Sequence, residues 1–254
     1  MTDSAPAIDA NLDALRAEAL QWITDDPDKA GRDELYRLLD GLPGTTAELA
    51  DRFSGRLKFG TAGLRGPLRA GPNGMNLAVV RAAAAGLANW LDAKGAEGPV
   101  VIGYDARHGS RDFAVETARV VTGSGRRALL LPGPLPTPVT AFAVTHLDGA
   151  AAVQVTASHN PPQDNGYKVY LGRELGGDLG AGAQIVPPAD TEIEAAIEAL
   201  GPLSEIPSAT RARPSTGPSS TRTSRPSPPS STPTTPSASP PSRPRCTASA
   251  APPW

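Results

Sequence analysis

An α/β fold is what this sequence predicts: a mostly parallel mixed sheet sandwiched between helices, with a helical lead-in before it and a disordered tail after it. Short runs of small and β-branched residues, Val100 to Tyr104, Ala128 to Leu131 and Ala150 to Val155, alternate with stretches whose apolar residues recur at helical spacing. Strands alternating with helices require crossover connections and a sheet covered on both faces. Beyond residue 209 the composition changes so far that no core can be built from it.

In chain order, Leu12, Leu15, Ala19, Trp22 and Ile23 lie at helical spacing, and Leu35, Leu38 and Leu39 repeat the pattern after Asp25-Asp26-Pro27-Asp28. Thr45 with Glu48 has the spacing of a capping box for a third helix reaching Phe53. Residues 1–54 are therefore expected to form a helical extension. Asp26 and Asp28 beside a proline read as turn and helix-start residues rather than a metal pair.

The body is expected over residues 55–209. Leu77, Val80, Ala84, Leu87 and Leu91 mark a helix before the strand Val100 to Tyr104; Phe113, Thr117, Ala118 and Val121 mark the next, before Ala128 to Leu131. Thr137 is placed to cap a third helix with Pro138 at its first position, ending near Leu147. Asp105 and Arg107, just past a strand end, are expected to form an ion pair holding their loop. Gly172 to Gly182 reads as a mobile surface loop, and Ile193, Ile197 and Leu200 as a last helix stopped by Gly201.

All 26 acidic residues precede position 210, so the first 209 residues carry about −8 and the last 45 carry +6. That last stretch holds 12 prolines, 11 serines, 8 threonines and 6 arginines, with no Asp, Glu, Lys, Val, Ile or Leu. A proline-rich ligand and a basic arm are both open to it; the reading favoured is a GC-rich gene read out of frame. Few aromatics argue against nucleic acid as a partner, no run approaches the roughly 18 apolar residues of a membrane span, and Cys246 is alone, so no disulfide framework or thiolate zinc site is expected. The expected compartment is the cytoplasm, and the oligomeric state is left open.

The chemistry concentrates in Val153 to Tyr170. A buried strand breaks at Asn160-Pro161-Pro162, which sets Ser158, His159 and Asn160 at a strand's carboxyl end, where open α/β sheets bind ligands. Asn165-Gly166 then reads as a turn into a second short strand, Tyr167 to Tyr170, carrying Lys168. A serine bearing a phosphoryl group has roughly −1.5 to −2 of charge and three acceptor oxygens. His159, Asn160 and Lys168 supply the cations and donors such a group needs. A Ser-Asn-Pro turn capped by its own side chains, beside a surface lysine, fits the same spacing.

Thr156-Ala157-Ser158-His159-Asn160-Pro161 followed by Asn165-Gly166-Tyr167-Lys168 resembles the phosphoserine loop of the α-D-phosphohexomutases, the phosphoglucomutase and phosphomannomutase family. Lys58-Phe59-Gly60-Thr61-Ala62-Gly63-Leu64-Arg65-Gly66 and Gly103-Tyr104-Asp105-Ala106-Arg107 resemble two earlier signatures of the same family, in the same order, and Gly182 to Pro188 resembles a later segment. The fold implied is the family's first domain.

That resemblance implies a reaction: a phosphoryl group passes between the 1 and 6 positions of a hexose phosphate through phosphorylated Ser158 and a bisphosphate intermediate. It implies hexose phosphate as substrate, hexose 1,6-bisphosphate as activator, and Mg²⁺ held by the Ser158 phosphate and by three aspartates of an Asp-Gly-Asp-x-Asp motif. No Asp-x-Asp-x-Asp occurs in these 254 residues, so the chain alone is expected to be catalytically incomplete, the N-terminal part of a mutase. Arg65 and Asn160 are the implied phosphate or substrate contacts. Lys168 is open to two roles, general acid–base at the sugar hydroxyl or a fixed charge on phosphate, and His159 to orienting the phosphoserine or simply bonding its turn. A non-catalytic phosphosugar-binding or mutase-pairing module, and a product without activity, stay open beside the mutase reading. Glucose and mannose are not distinguished.

Overall fold

The computed structural model describes residues 5–60 and 63–210. The lead-in is three helices, α1 (Ala5–Asp25), α2 (Lys29–Asp40) and α3 (Thr46–Arg52). Their apolar faces close on a core of their own, with Ala19, Ile23, Leu35, Leu38, Leu39, Leu49 and Phe53 buried against Ala70. Asp28 caps α2 through the Ala30 amide at 3.0 Å, and Asp26 accepts from the Asp28 amide at 2.8 Å and Trp22 Nε1 at 3.3 Å. Both carboxylates thus shape a turn, as expected. The Thr45 capping box does not form: Thr45 Oγ1 donates to the Leu38 carbonyl, and Glu48 takes Arg52 Nη2 at 2.7 Å. Arg52, pinned also by Glu34, offers Glu48 a charged partner, which is a stronger hydrogen bond than a neutral backbone amide.

The body is built on a five-stranded sheet of order β1-β5-β4-β2-β3, from β1 (Leu64–Pro67), β2 (Val100–Tyr104), β3 (Ala128–Leu130), β4 (Ala151–Val155) and β5 (Asp164–Leu171). The mixed character is as expected: β3, β2 and β4 are mutually parallel, while β5 runs antiparallel to both β4 and β1. Connecting helices are α4 (Leu77–Ala93), α5 (Ser110–Gly123), α6 (Thr137–His146), α7 (Arg173–Gly180) and α8 (Ala189–Glu198).

Strand alternation sorts the faces. Val100, Ile102, Val153 and Val155 join the larger core with Val80, Leu87, Leu91, Phe113, Val121 and Ile193 from α4, α5 and α8. Val101 and Ala152 point the other way, to Ala143 and Val144 of α6. On that α6 face the fully buried Gln154 is satisfied by Thr140 Oγ1 and by the Leu135 carbonyl.

Three local expectations shift. Asn165 and Gly166 are not a turn but lie within β5, opposite Arg65 and Gly66 of β1. A Cβ on Gly166 would stand 2.7 Å from the carbonyl oxygens of both Leu64 and Thr156, so the glycine serves close strand packing, and residues 157–163 make the reversal instead. Gly172 to Gly182 is largely α7, kinked at Gly177. Thr137 is the first residue of α6 and caps nothing; Pro136, extended at φ −69°, precedes it. Except for Thr210, the expected tail over residues 210–254 lies outside the described residues. No helix among the described residues is long and apolar enough to cross a membrane.

Candidate active site around Ser158

The carboxyl ends of β4 and β2 lie side by side, and the chain leaving each contributes to one loop cluster. From β4, Thr156 and Ala157 remain buried before the chain surfaces at Ser158. Ser158 has φ +56°, a left-handed conformation that costs a residue with a Cβ roughly 1–2 kcal/mol. Its amide donates to Thr156 Oγ1 at 2.9 Å, the Asn160 amide to the Ala157 carbonyl at 3.0 Å, and the Asp164 amide to the Pro161 carbonyl at 3.0 Å. A strained backbone held by surrounding bonds is a mark of functional loops.

The Ser158 hydroxyl meets a cation. Lys168, across from Gln154 on β5, puts Nζ 2.7 Å from Ser158 Oγ. Burial, and then the nearby Arg65 guanidinium, hold the Lys168 amine below its ordinary 10.5, because both disfavour its charged form. Arg65 is exposed on β1 and donates from Nη1 to Asn160 Oδ1 at 3.3 Å; Asn160 Nδ2 in turn donates to Asp164 Oδ2 at 2.8 Å. Four of the five expected site residues therefore form two hydrogen-bonded pairs, Ser158 with Lys168 and Arg65 with Asn160, and the Arg65 charge is felt by Lys168 across the pairs. His159 is beside them and exposed, but makes no side-chain hydrogen bond to a described residue.

Two further groups were not legible as part of this site. Arg107, expected to pair only with Asp105, does so at 3.5 Å, but its guanidinium also donates to the carbonyls of Ser158, Asn160, Pro161 and Asp164. Behind it, Asp105 Oδ1 accepts from the Arg107 amide and from Ser110 Oγ at 2.6 Å, and the buried Asn165 donates to Ser110 Oγ at 2.9 Å and to the His108 carbonyl at 2.8 Å. A strand end followed by Asp-Ala-Arg signals an ion pair; nothing in its spacing announces four carbonyls more than 50 residues later.

A Mg²⁺ ion is implied by the resemblance, and the unmodified side chains present among the described residues do not by themselves make a site for one. No group of three His, Cys, Asp or Glu side chains that could hold a metal occurs among the described residues, and the two nearby carboxylates, Asp164 and Asp105, are engaged by Asn160 and by Ser110 and Arg107.

A serine at the end of a parallel strand, set among a lysine, an arginine and an amide, places cations and donors around one hydroxyl of an α/β domain. The model of phosphoglucomutase/phosphomannomutase α/β/α domain I matches residues 56–202, more than half of the chain, and the chain belongs to that family. A protein named probable phosphomannomutase in Haemophilus influenzae is 51% identical over 136 residues, covering 53% of this chain and 27% of its own length. Phosphopentomutase of Mus musculus is 36% identical over 204 residues, 77% of this chain and 31% of its own length. A solved phosphoglucomutase/phosphomannomutase family protein from Burkholderia thailandensis shares 25% identity, with a TM-score of 0.45, over 55% of this chain and 29% of that one. The chain spans less than a third of the length of these relatives.

Proposed function

We propose that residues 55–209 are the phosphoryl-carrying first domain of a phosphosugar mutase, with residues 1–54 as an extension, and that Ser158 is the residue that carries the phosphate. The substrate assigned is a hexose phosphate, its 1- and 6-phosphates interconverted through hexose 1,6-bisphosphate, which also serves as activator. The observation that carries this reading is the 2.7 Å contact between Lys168 Nζ and Ser158 Oγ on a loop strained to φ +56°.

In the transfer, the bond between phosphorus and Ser158 Oγ breaks as a bond forms from phosphorus to a sugar hydroxyl. The sugar's proton must leave and Oγ must gain one. Lys168, already bonded to Oγ, is placed to donate to the departing serine oxygen and then, neutral, to take the sugar's proton. In the unphosphorylated chain, burial and then Arg65 lower its proton affinity, the direction that eases release of a proton. Arg65, with Asn160, faces the same side and offers its fork to phosphate oxygens; His159 adds an exposed donor next to the phosphate. Phosphorylated Ser158 is the one Mg²⁺ ligand we assign within these residues.

These 254 residues by themselves are proposed to have no appreciable mutase turnover, since they contain no Asp-x-Asp-x-Asp. Charge stabilisation of that kind is usually the largest catalytic contribution. A second reading concerns the sugar. As an alternative substrate we propose a pentose phosphate, on the printed name of one relative, the phosphopentomutase of Mus musculus.

The test is phosphate mapping. Purified chain incubated with glucose 1,6-bisphosphate and Mg²⁺, or made beside an intact mutase, should yield phosphopeptide at Ser158, and Ser158→Ala should yield none. Phosphate on another serine with Ser158 bare would refute the assignment. A coupled assay with glucose 1-phosphate and, separately, ribose 1-phosphate addresses the rest: turnover near that of a complete mutase, lost in Ser158→Ala, would overturn the proposed incompleteness.

A further inference from the structure

We propose that Arg107 is a positioning residue for the Ser158 loop, one that works by hydrogen-bond geometry and not by charge. The inference rests on the reading of Ser158 given above, but its evidence is independent. A guanidinium has five N–H donors in a rigid planar fork, and here the four on Nη1 and Nη2 each have a carbonyl partner. Nη2 donates to the Ser158 carbonyl at 2.9 Å and the Asn160 carbonyl at 2.7 Å; Nη1 donates to the Pro161 carbonyl at 2.8 Å and the Asp164 carbonyl at 3.1 Å. Nε faces Asp105 Oδ2 at 3.5 Å.

The consequence is mechanical. Four carbonyls drawn from seven consecutive residues, 158 to 164, converge on one side chain, so the loop can neither flatten nor slide without breaking several bonds together. That over-determination is what keeps Ser158 left-handed and its Oγ within reach of Lys168. The fork is itself braced: Asp105 is held by Ser110 Oγ and by the Arg107 amide, Ser110 by buried Asn165, and the Asp105 amide by the Val155 carbonyl at 3.1 Å, so the ends of β2 and β4 are locked to the same group. Arg107 hydrogen-bonds the loop through backbone carbonyls and not through the Ser158 hydroxyl. A lysine there would keep the charge but has three tetrahedral donors and no plane, and cannot serve four carbonyls and a carboxylate at once.

Arg107→Lys in the full 254-residue chain therefore separates geometry from charge. Expected are amide exchange at Asn160 and Asp164 at least 10-fold faster than in wild type, with α4 and α8 unchanged, and a maximal rate of phosphate uptake on Ser158 from glucose 1,6-bisphosphate down about 10-fold or more, at a half-saturating concentration within 2-fold. Arg107→Lys with wild-type exchange and wild-type uptake would overturn the proposal in favour of charge. A raised half-saturating concentration at unchanged maximal rate would overturn it in favour of direct substrate contact. If wild type takes up no phosphate, the assignment of Ser158 falls while the exchange comparison still decides the role of Arg107. Should Arg107→Lys fail to fold, wild-type exchange decides: protection of the Asn160 and Asp164 amides by 100-fold or more supports the loop clamp, and exchange at the rate of an unstructured peptide refutes it.

Discussion

β4 and the loop it feeds are covalently continuous, yet different forces hold them. In β4, Ala151, Ala152, Val153 and Val155 are fully buried and bring small and branched side chains to both faces of the sheet. Three residues later the chain is exposed, and Arg107 and local backbone bonds hold it. Burial is non-directional and tolerates the choice among Val, Ile and Ala, whereas a hydrogen-bonded loop depends on particular atoms in particular places. The comparison teaches that stability in this domain belongs to the sheet and orientation to the loop, so substitutions in the two regions should separate.

The largest expected effect breaks the sheet itself. Gly63 has φ +73°, and a Cβ there would lie 1.8 Å from the Tyr167 carbonyl oxygen, so Gly63→Ala must push β1 away from β5. A cost above about 3 kcal/mol is expected, combining backbone strain with a clash that no rotamer relieves. Urea denaturation measures it; a loss under 1 kcal/mol would mean that β1 re-pairs at little expense.

Next comes Val153→Ala, which removes two methyl groups from a fully buried position, for about 2 kcal/mol. Ser158→Ala, five residues on, should change stability by less than about 0.5 kcal/mol while abolishing phosphate at that position. If both cost the same, the division between sheet and loop is false.

The division also explains what could be read from sequence. Hydrophobic runs disclosed β2 and β4 because burial on both faces leaves a compositional trace, and the run of Ala128, Leu129 and Leu130 disclosed the partly buried edge strand β3. Ser158, Lys168, Arg65 and Asn160 were found together because they lie within recognisable motifs, although Arg65 is 95 positions from Asn160. Asn165-Gly166 misled: the pair has turn chemistry, but Gly166 is there because carbonyls approach it from both sides. Thr45 and Glu48 misled because a capping box competes with Arg52 for the same carboxylate. α7 was hidden by its glycines. Arg107 was seen only as far as its neighbour Asp105, since bonds to carbonyls depend on where a distant backbone happens to run and leave no residue-type signature.

A smaller effect runs opposite in sign to the first two. Ser158→Gly relieves the left-handed strain of about 1–2 kcal/mol but adds unfolded-state freedom, so a gain of about 0.5–1 kcal/mol is expected. Thermal or chemical denaturation would show it. A loss would mean the hydroxyl's bond to Lys168 outweighs the strain, and that the loop is stabilised by its site rather than strained for it.

The smallest effect is in pH, and its sign sharpens the comparison. Lys168 has a folded proton affinity below its ordinary 10.5, through burial and then Arg65. Between that lowered value and 10.5 the unfolded chain binds more protons than the folded one, so this group makes stability rise with pH; below the window its penalty is fully present. Because the amine is only partly buried, solvent screening keeps the contribution well under 1 kcal/mol. Burial of the Tyr167 and Tyr170 phenols acts the other way, since unfolded phenols ionise near 10 and favour the unfolded chain as pH rises. Lys168→Met leaves the tyrosines unchanged, so the stability difference between variant and wild type isolates the lysine. That difference, variant minus wild type, should fall as pH rises toward 10.5 in unphosphorylated chain. A flat or rising difference would show that Lys168 is not depressed. With phosphate on Ser158, a dianion beside Nζ raises the lysine's proton affinity, and the slope should reverse, which makes the titration a report on whether loop and strand meet at the charge the site is proposed to carry.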